Sequence, residues 1–579
     1  ALTIKKLWQS GYSYSQMAIL VRSKTSYKEL LVALERQSVP VQPGGRLGLF
    51  EMADADFFGR AFAWFVDFEW RVGRWSSTSE AVTLEGLVEL ATSLFALPAA
   101  SIGELQKTLT RSKATVGKDS RGVSLVGIVY DISAALGISN WDLDDKVLAS
   151  RLGTIARFTK FVADYEAMTR HSRMSSEELN RQIGMADQGE WYFRNLASFM
   201  LNVAVGNYDD FEGEEGLVSD SVELMTIHAA KGLEWPIVFI PALTEKRFPR
   251  RSTLGKKNDW IVPRELFDAA RYEGSDADER RLFYVAATRA REWLSLSAHE
   301  KVTTQKVTKS AYLADVEAAF EESLNLPPEW MEDIDLDPDQ TLNITYSELA
   351  DYLNCGLSYR LRNRIGFPPA IVEEIGYGKA VHHLMRAIAE ETARKGRPLR
   401  PGDVDRIMAT DFFLPFAGRA VSDRFRESAR KLVFGYLKDH AEEMGRVWEA
   451  ERPFELALPG AVISGRADVV LDLHEGKPNN LAILDYKTSV GDQEFSLQLQ
   501  VYAEAGIREG LEVRGAYVHD LKEGSRAEVD TTESARAKAI DTVLVAVDGI
   551  KKKKFDAQPS VHKCGICDVR AICRSAAKS

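Results

Sequence analysis

Two aspartates and a lysine lie within one short stretch, followed by a glutamine and a tyrosine. Their types and spacing could hold a divalent cation and direct water at a phosphate. The stretch runs from Ile463 to Ala505 as ISGRADVVLDL, LAILDYKTS and LQLQVYAEA. The first two pieces are apolar and β-branched and are separated by the polar HEGKPNN, which predicts two antiparallel strands and their loop. The third predicts a helix. Asp468 leaves the first strand, and Asp485 and Lys487, two apart, leave the second on one face. Such a group would repel and desolvate itself unless something lay between its members. Mg²⁺ or Mn²⁺ meets that need, because it takes carboxylate and water oxygens and lowers the pKa of a bound water. Lys487 can orient that water or neutralise charge building on a phosphate. Gln498 and Tyr502, at i and i+4, share the helix face that can meet the site.

The pattern Asp-x16-Asp-x-Lys, then Gln-x-x-x-Tyr, resembles the PD-(D/E)xK nucleases in their RecB-like branch. That resemblance implies an α/β nuclease fold acting on DNA, and it adds two residues. His382, four after Gly378 in GKAVH, is implied as a metal ligand beside Asp468 and Asp485. Glu451 in EAERPFEL matches a catalytic-site glutamate found before the first strand. Ala467 stands where the family name has Pro, and the second acid is Asp485 rather than Glu; neither departure alters the ligand chemistry. Each residue alone would read as a surface charge on a half-exposed strand. It is their order along the chain that carries the reading.

These residues must be positioned by a domain, and the chain has room for several. Its 579 residues allow roughly three to five domains. Apolar content of 45 % and charged content of 27 % are those of a globular protein. No run is long enough to span a bilayer, the longest apolar stretch being near Trp235 to Leu243, and ALTIKKLWQSGYSYSQ has no signal-peptide core. A cytoplasmic location, with no membrane partner, is expected. The net charge of −11 argues against a generally basic coat. Basic clusters nevertheless flank the motifs: Arg247, Arg250 and Arg251 with Lys256 and Lys257; Arg360, Arg362 and Arg364; and Lys551 to Lys554.

In chain order, Met17 to Arg22 predicts a buried strand and KELLVALERQSV a helix, the α/β unit. GGRLGLF turns into a helical DFFGRAFAWFVDF. From about Arg71 to Leu217 the pattern is helical, with Leu148, Leu152, Ile155, Phe158, Val162 and Tyr165 on one core-facing stripe. The α/β pattern returns in VELMTIHAAKGLEWPIVFIPAL and DERRLFYVAATRAREWLSLS. These segments resemble motifs V and VI of UvrD/RecB-like superfamily 1 helicases, whose second RecA-like domain is a parallel-sheet fold with a helical insertion. The resemblance implies that Glu234 meets the ribose of ATP and Arg289 its γ-phosphate, where an always-charged guanidinium stabilises the transferring group. It also implies that Thr226 and His228 contact DNA or relay the nucleotide state. Arg280 and Arg291 are expected in helix salt bridges.

No GxxxxGK[ST] loop occurs. The chain begins where the family is past its first RecA-like domain, so we expect a C-terminal portion of a longer helicase-nuclease. Its partners would be DNA ends and single strands, an upstream motor domain and a second helicase-nuclease subunit. The expected layout is RecA-like 1–70 and 218–320 around a helical insertion at 71–217, an acidic linker at 321–343, and a nuclease domain at 344–579 opened by a cap at Thr345 or Ser347.

The four cysteines are Cys355, Cys564, Cys567 and Cys573, three of them in C-x2-C-x5-C and the fourth 209 residues earlier. In a reducing compartment this clustering points to metal, and zinc fits the spacing. One early cysteine and a terminal triplet around such a nuclease resemble the iron-sulfur staple of AddB-type nucleases, which implies [4Fe-4S]. The expected function is ATP-dependent unwinding of DNA ends with metal-dependent cutting of single strands in break repair. The alternatives are a scanning or clamping nuclease subunit with an inactive motor, a nuclease against foreign DNA, or a non-enzymatic scaffold, which the intact Asp-Asp-x-Lys set opposes.

Overall fold

A computed structural model describes residues 1–579 except 24–29, 32, 35, 38, 42–48, 71–78, 117–122, 171–172, 175–181, 184–188, 205–219, 231, 246, 250–275, 303–304, 317–340, 474–479, 489–494 and 578–579. Arg250, Arg251, Lys256, Lys257 and most of the acidic linker lie outside the described residues. The chain forms two compact units. One comprises Ala1–Leu109, Leu136–Phe158 and Arg194–Asp335; the other comprises Thr110–Ala135, Thr159–Phe193 and Leu336–Ser579.

In the first unit, four strands among the described residues form a parallel sheet. They are β1 (Met17–Val21), β2 (Glu223–Thr226), β3 (Trp235–Ile240) and β4 (Ala290–Leu296), in the order β2-β1-β3-β4. The MAILV run of β1 is buried throughout because both sheet faces are covered. Met17, Ile19 and Val21 enter one core; Ala18 and Leu20 enter the other. The predicted helical stripe lies on α2 (Lys146–Arg170), which belongs to the first unit as far as Phe158 and to the second from Thr159; α1 (Leu125–Ala135), which precedes it, belongs to the second unit. Leu152, Ile155, Phe158, Val162 and Tyr165 are buried there. The helical block also holds a short ladder the sequence did not announce, Arg173–Met174 with Gln182–Ile183.

The second unit is organised by a six-stranded mixed sheet, again among the described residues. Its strands are β5 (Leu342–Thr345), β6 (Val447–Leu458), β7 (Ala461–Asp472), β8 (Leu481–Lys487), β9 (Val513–Asp520) and β10 (Ser525–Glu528), in the order β5-β7-β8-β9-β10 with β6 on the other side of β7. Strands β7 and β8 are antiparallel, as expected, and β8 and β9 are parallel. Helix α6 (Ser496–Arg508) makes the crossover between the latter pair. One face packs on α3 (Tyr346–Asn354), α6 and α7 (Glu533–Lys551); the other packs on α4 (Tyr377–Lys395) and α5 (Arg419–His440). Each fully buried Leu or Ile in these cores contributes about 2 kcal/mol. Helix α3 begins in a capping box: Thr345 Oγ1 accepts from Glu348 N at 3.2 Å, and Glu348 Oε2 accepts from Thr345 N at 2.9 Å. The cap is therefore Thr345 and not Ser347.

Strand β7 does one thing that alternation alone would not give. Ala461, Ile463 and Ala467 belong to the core on the α6 side, while Val469 and Leu471 belong to the core on the α4 side. Residues two apart normally share a face, so the strand changes faces at Asp468.

Candidate metal and phosphodiester site

Asp468 sits at that switch, its carboxylate turned along the sheet. Its Oδ2 accepts from Tyr486 N on β8 at 2.8 Å, and its Oδ1 lies 3.1 Å from His382 Nδ1 on α4. Glu451 faces it from β6, between the ladder pairs Ala450–Val469 and Arg452–Ala467. Glu451 precedes the Asp468 strand, as expected, and lies within a twelve-residue strand of its own, β6, that the sequence did not announce. It holds a left-handed φ of 55°, a strained conformation for a residue with a Cβ, of the kind found at functional sites. One donor atom from each of His382, Glu451 and Asp468 falls within 4.8 Å of the others.

Asp485 and Lys487 share a face of β8, as their spacing requires. Lys487 Nζ lies 2.5 Å from Asp485 Oδ2, yet that buried oxygen has no hydrogen bond aligned on it. The contact is an ion pair with poor hydrogen-bond direction, leaving a carboxylate oxygen that a cation could satisfy. Nζ also lies 4.5 Å from the centre of the Phe495 ring, just before α6.

Burial pushes the Asp485 carboxyl up to about 6, helped by the charge of Asp468. Burial acts on Asp468 in the same direction, but the hydrogen bond and charge of His382, with the Tyr486 N–H, hold it below the ordinary range. Burial would lower His382; the hydrogen bond to Asp468 and the charges of both aspartates raise it instead. Two neighbouring carboxyls with proton affinities pushed apart are a mark of acid-base or metal sites. Carboxylate and imidazole donors gathered in this way fit a hard divalent cation.

Gln498 and Tyr502 reach the site through the strand rather than at its centre. Gln498 Nε2 donates to the Tyr502 hydroxyl at 3.3 Å, and that hydroxyl accepts from Arg466 N at 3.2 Å, two residues before Asp468. Tyr502 gets this close because residue 465 is glycine. A Cβ there would lie 2.4 Å from the ring. A glycine inside a strand pattern is the signal that could have found this contact. Phe495 left no comparable signal.

The four cysteines line one cavity of about 180 Å³, with Asp351, Arg362 and Asp568 around it. Cys355 ends α3, and Gly356 follows because a Cβ would lie 2.9 Å from the backbone of Asp556. That approach carries the terminal segment in: Cys355 Sγ accepts from Gln558 N at 3.4 Å, and Cys567 Sγ is 3.6 Å from Ser358 Oγ. Helix α1 packs on Arg570–Ile572 beside this cavity, with Tyr130 donating to Pro368 O at 2.5 Å.

In the first unit the implied nucleotide and DNA residues fall at opposite ends of the sheet. Glu234 and Arg289 precede β3 and β4 side by side, joined where Trp235 N donates to Arg289 O at 2.9 Å. Thr226 and His228 lie at the carboxyl end of β2, roughly 20 Å away by strand length. His228 is lowered by burial and then by Arg22, whose Nε donates to both oxygens of Glu279 at 3.0 Å. The Arg289 guanidinium donates to Val285 O, Leu233 O and Thr288 Oγ1 at 2.9, 3.0 and 3.1 Å. Arg280 pairs with Asp315 at 2.7 Å as expected; Arg291 pairs with Glu234 at 3.2 Å, but from strand β4 rather than a helix.

Comparison with known proteins agrees with both halves. Residues 80–301 match the UvrD-like helicase C-terminal domain and residues 343–574 the PD-(D/E)XK nuclease superfamily. The chain is 40 % identical over 109 residues to ATP-dependent DNA helicase srs2 of Schizosaccharomyces pombe, covering 19 % of this chain and 10 % of that one. It is 27 % identical over 303 residues to DNA helicase II of Salmonella typhimurium, covering 51 % and 39 %. With ATP-dependent DNA helicase PcrA of Bacillus subtilis it shares 34 % over 139 residues, covering 23 % and 17 %. The chain thus spans less than half the length of these relatives. Among the described residues, no helix is long and apolar enough to cross a membrane.

Proposed function

We propose, for a chain that joins a UvrD-like helicase C-terminal domain to a PD-(D/E)XK superfamily nuclease domain, that it serves an ATP-dependent DNA helicase-nuclease in the cytoplasm. Its second unit hydrolyses phosphodiester bonds of single-stranded DNA at broken ends. The observation that carries this is the approach of His382, Glu451 and Asp468 to within 4.8 Å of one another at the switch point of β7, with Asp485 and Lys487 in electrostatic reach of Asp468 and the aspartates' proton affinities pushed apart. A Mg²⁺ or Mn²⁺ ion held there would polarise a phosphate oxygen and lower the pKa of a bound water. Lys487, whose Nζ lies over the Phe495 ring, would neutralise charge building on the phosphate. Tyr502 and Gln498 fix the backbone before Asp468. Glu234 and Arg289 belong to the nucleotide side, Thr226 and His228 to the DNA side. The organisation in this reading is RecA-like 1–70 and 218–320, helical insertion 71–217, linker 321–343 and nuclease 344–579, with an upstream motor domain and a second subunit as partners.

The four cysteines belong in this reading to a [4Fe-4S] cluster. What supports the cluster over zinc is the resemblance of one early cysteine and a C-terminal triplet to the iron-sulfur staple, together with the four cysteines lining one cavity.

The test of the nuclease is cleavage of a labelled single strand with and without Mg²⁺ or Mn²⁺. The parent should cut only with metal, and Asp485→Ala should lose at least about 10³-fold in rate, as expected when a metal-site carboxylate is deleted, while staying folded. A variant that cuts as fast as the parent would sink the assignment.

A further inference from the structure

Beside the metal site, on the face of β8 that α4 and α5 cover, lies a chain of polar side chains whose inner end, the Tyr486 ring, meets the His382 ring edge to face at 6.4 Å. Tyr486 stands between Asp485 and Lys487, so its side chain points away from them, into the α4 side of the unit, where it is fully buried. Its hydroxyl donates to Tyr436 Oη on α5 at 3.2 Å, and Tyr436 donates to Glu443 Oε2 at 3.1 Å. Arg526 on β10 closes the chain with both arms of its fork, at 2.9 Å to Glu443 Oε1 and 2.8 Å to Oε2. His440 Nδ1 lies 3.2 Å from Glu443 Oε1, and Arg526 Nε donates to His519 Nδ1 at 3.4 Å. The Tyr436 and Tyr486 rings meet edge to face, 5.2 Å apart at 90°.

Sinking hydroxyls and an ion pair costs free energy even when every bond is made. A phenylalanine at 436 or 486 would fill the same space without that cost. What the hydroxyls add is direction: they fix the rotation of β8 about its own axis against α5 and β10. Three groups of the metal site depend on that rotation, namely Asp485, Lys487 and, through the Tyr486 N–H, Asp468. We infer that Tyr436, Glu443 and Arg526 are positioning residues for the metal site, holding β8 so that the two aspartates meet one cation. The inference rests on the nuclease reading above, and outer partners of this kind are worth about 10- to 100-fold in metal affinity or activity.

The test is Mn²⁺ binding followed by electron paramagnetic resonance on the full chain at low temperature, alongside single-strand cleavage as Mg²⁺ is varied. The parent should bind Mn²⁺ and Asp468→Asn should not. Tyr436→Phe, which keeps the ring, and Glu443→Gln, which keeps the shape, should each weaken Mn²⁺ binding about 10- to 100-fold. The half-saturating Mg²⁺ should rise in parallel, with KM for DNA unchanged. Arg526→Lys keeps the charge but loses the fork and should fall in the same range, which covers the case of a variant that folds poorly. Parental Mn²⁺ affinity in all three would overturn the positioning role and leave the nuclease site standing. A parent that binds no Mn²⁺ would overturn the nuclease reading itself, and this inference with it.

Discussion

The two candidate metal sites of the second unit are built on opposite plans. At the sheet, oxygen and imidazole donors come from β6, β7, β8 and α4, elements whose register is fixed by ladder bonds and by a core on each face. At the cysteine cavity the sulfurs come from positions 209 residues apart and meet through a helix end, short turns and one backbone contact at Gly356. Hard donors that leave coordination positions open suit a cation that works on a substrate. Four thiolates close the shell and suit a group that holds the chain together. The first site is a product of the fold; in the reading proposed above, the second would hold the fold near residue 570 in place.

That contrast breaks most sharply at Cys567. Cys567→Ser should lose iron and the brown colour of anaerobically purified protein. The closed loop of 209 residues then opens, and by the arithmetic of a covalent cross-link this removes about 5 kcal/mol of stability. Calorimetry should show the unfolding of the second unit falling by roughly 10 °C or more, while Mn²⁺ binding at low temperature survives. Unchanged stability would make the cysteines something other than a staple, and stoichiometric zinc would replace the cluster.

The support behind the sheet site answers to pH. His519 is buried against Arg526, His440 and Tyr436, with Glu443 and Asp520 as the nearby acids. Burial first, then the Arg526 and His440 charges, push it down to about 4 from the ordinary 6.5. The folded state therefore binds this proton more weakly than the unfolded chain does. The stability involved is present above pH 6.5 and is lost as pH falls from there toward 4, on the order of 2 kcal/mol. His519→Phe should remove this dependence. Denaturant unfolding of parent and variant at pH 7.5 and 5 should show their gap shifting by that amount in the variant's favour at pH 5; a constant gap would rule the titration out.

Much of this was legible before the fold. Strand alternation and the two-residue spacing of Asp485 and Lys487 follow from periods that local sequence displays, and Lys487 meets Asp485 as those periods demand; the HEGKPNN segment lies outside the described residues except Asn480. The change of face at Asp468 was not legible, because Ala467-Asp468-Val469 is chemically continuous with a regular strand and only the packing on both sides shows the switch. Nor was the Tyr436–Glu443–Arg526 chain. It joins a helix to a strand about 90 residues later, as in the Arg526–Tyr436 contact, through polar side chains that carry no local sequence pattern. Gly465 stood in plain view as a glycine inside a strand, but its reason, the Tyr502 ring, lay on another element.

The smallest effect tests whether the sheet site stores strain that the cysteine site does not need. Glu451 holds φ 55° in the middle of β6, where a Cβ is unfavourable and glycine is not. In an ordinary strand interior, alanine is more stabilising than glycine by roughly 0.5–1 kcal/mol. At position 451 the order should invert. Glu451→Ala keeps the Cβ and its strain, whereas Glu451→Gly releases it, so the glycine variant should be the more stable of the two by about 1 kcal/mol. Both lose the half-exposed pairing with Arg466 at 3.5 Å, which is worth little in either case, so it cancels from the comparison. Both also lose the carboxylate that faces Asp468 and His382, so metal-dependent cleavage should fall equally in the two while stability separates them. Denaturant unfolding of the pair, read beside Mn²⁺ affinity, makes the comparison. An alanine variant as stable as the glycine one would mean that β6 relaxes to a regular strand once the carboxylate is gone, and that the carboxylate, not the fold, imposes the left-handed turn.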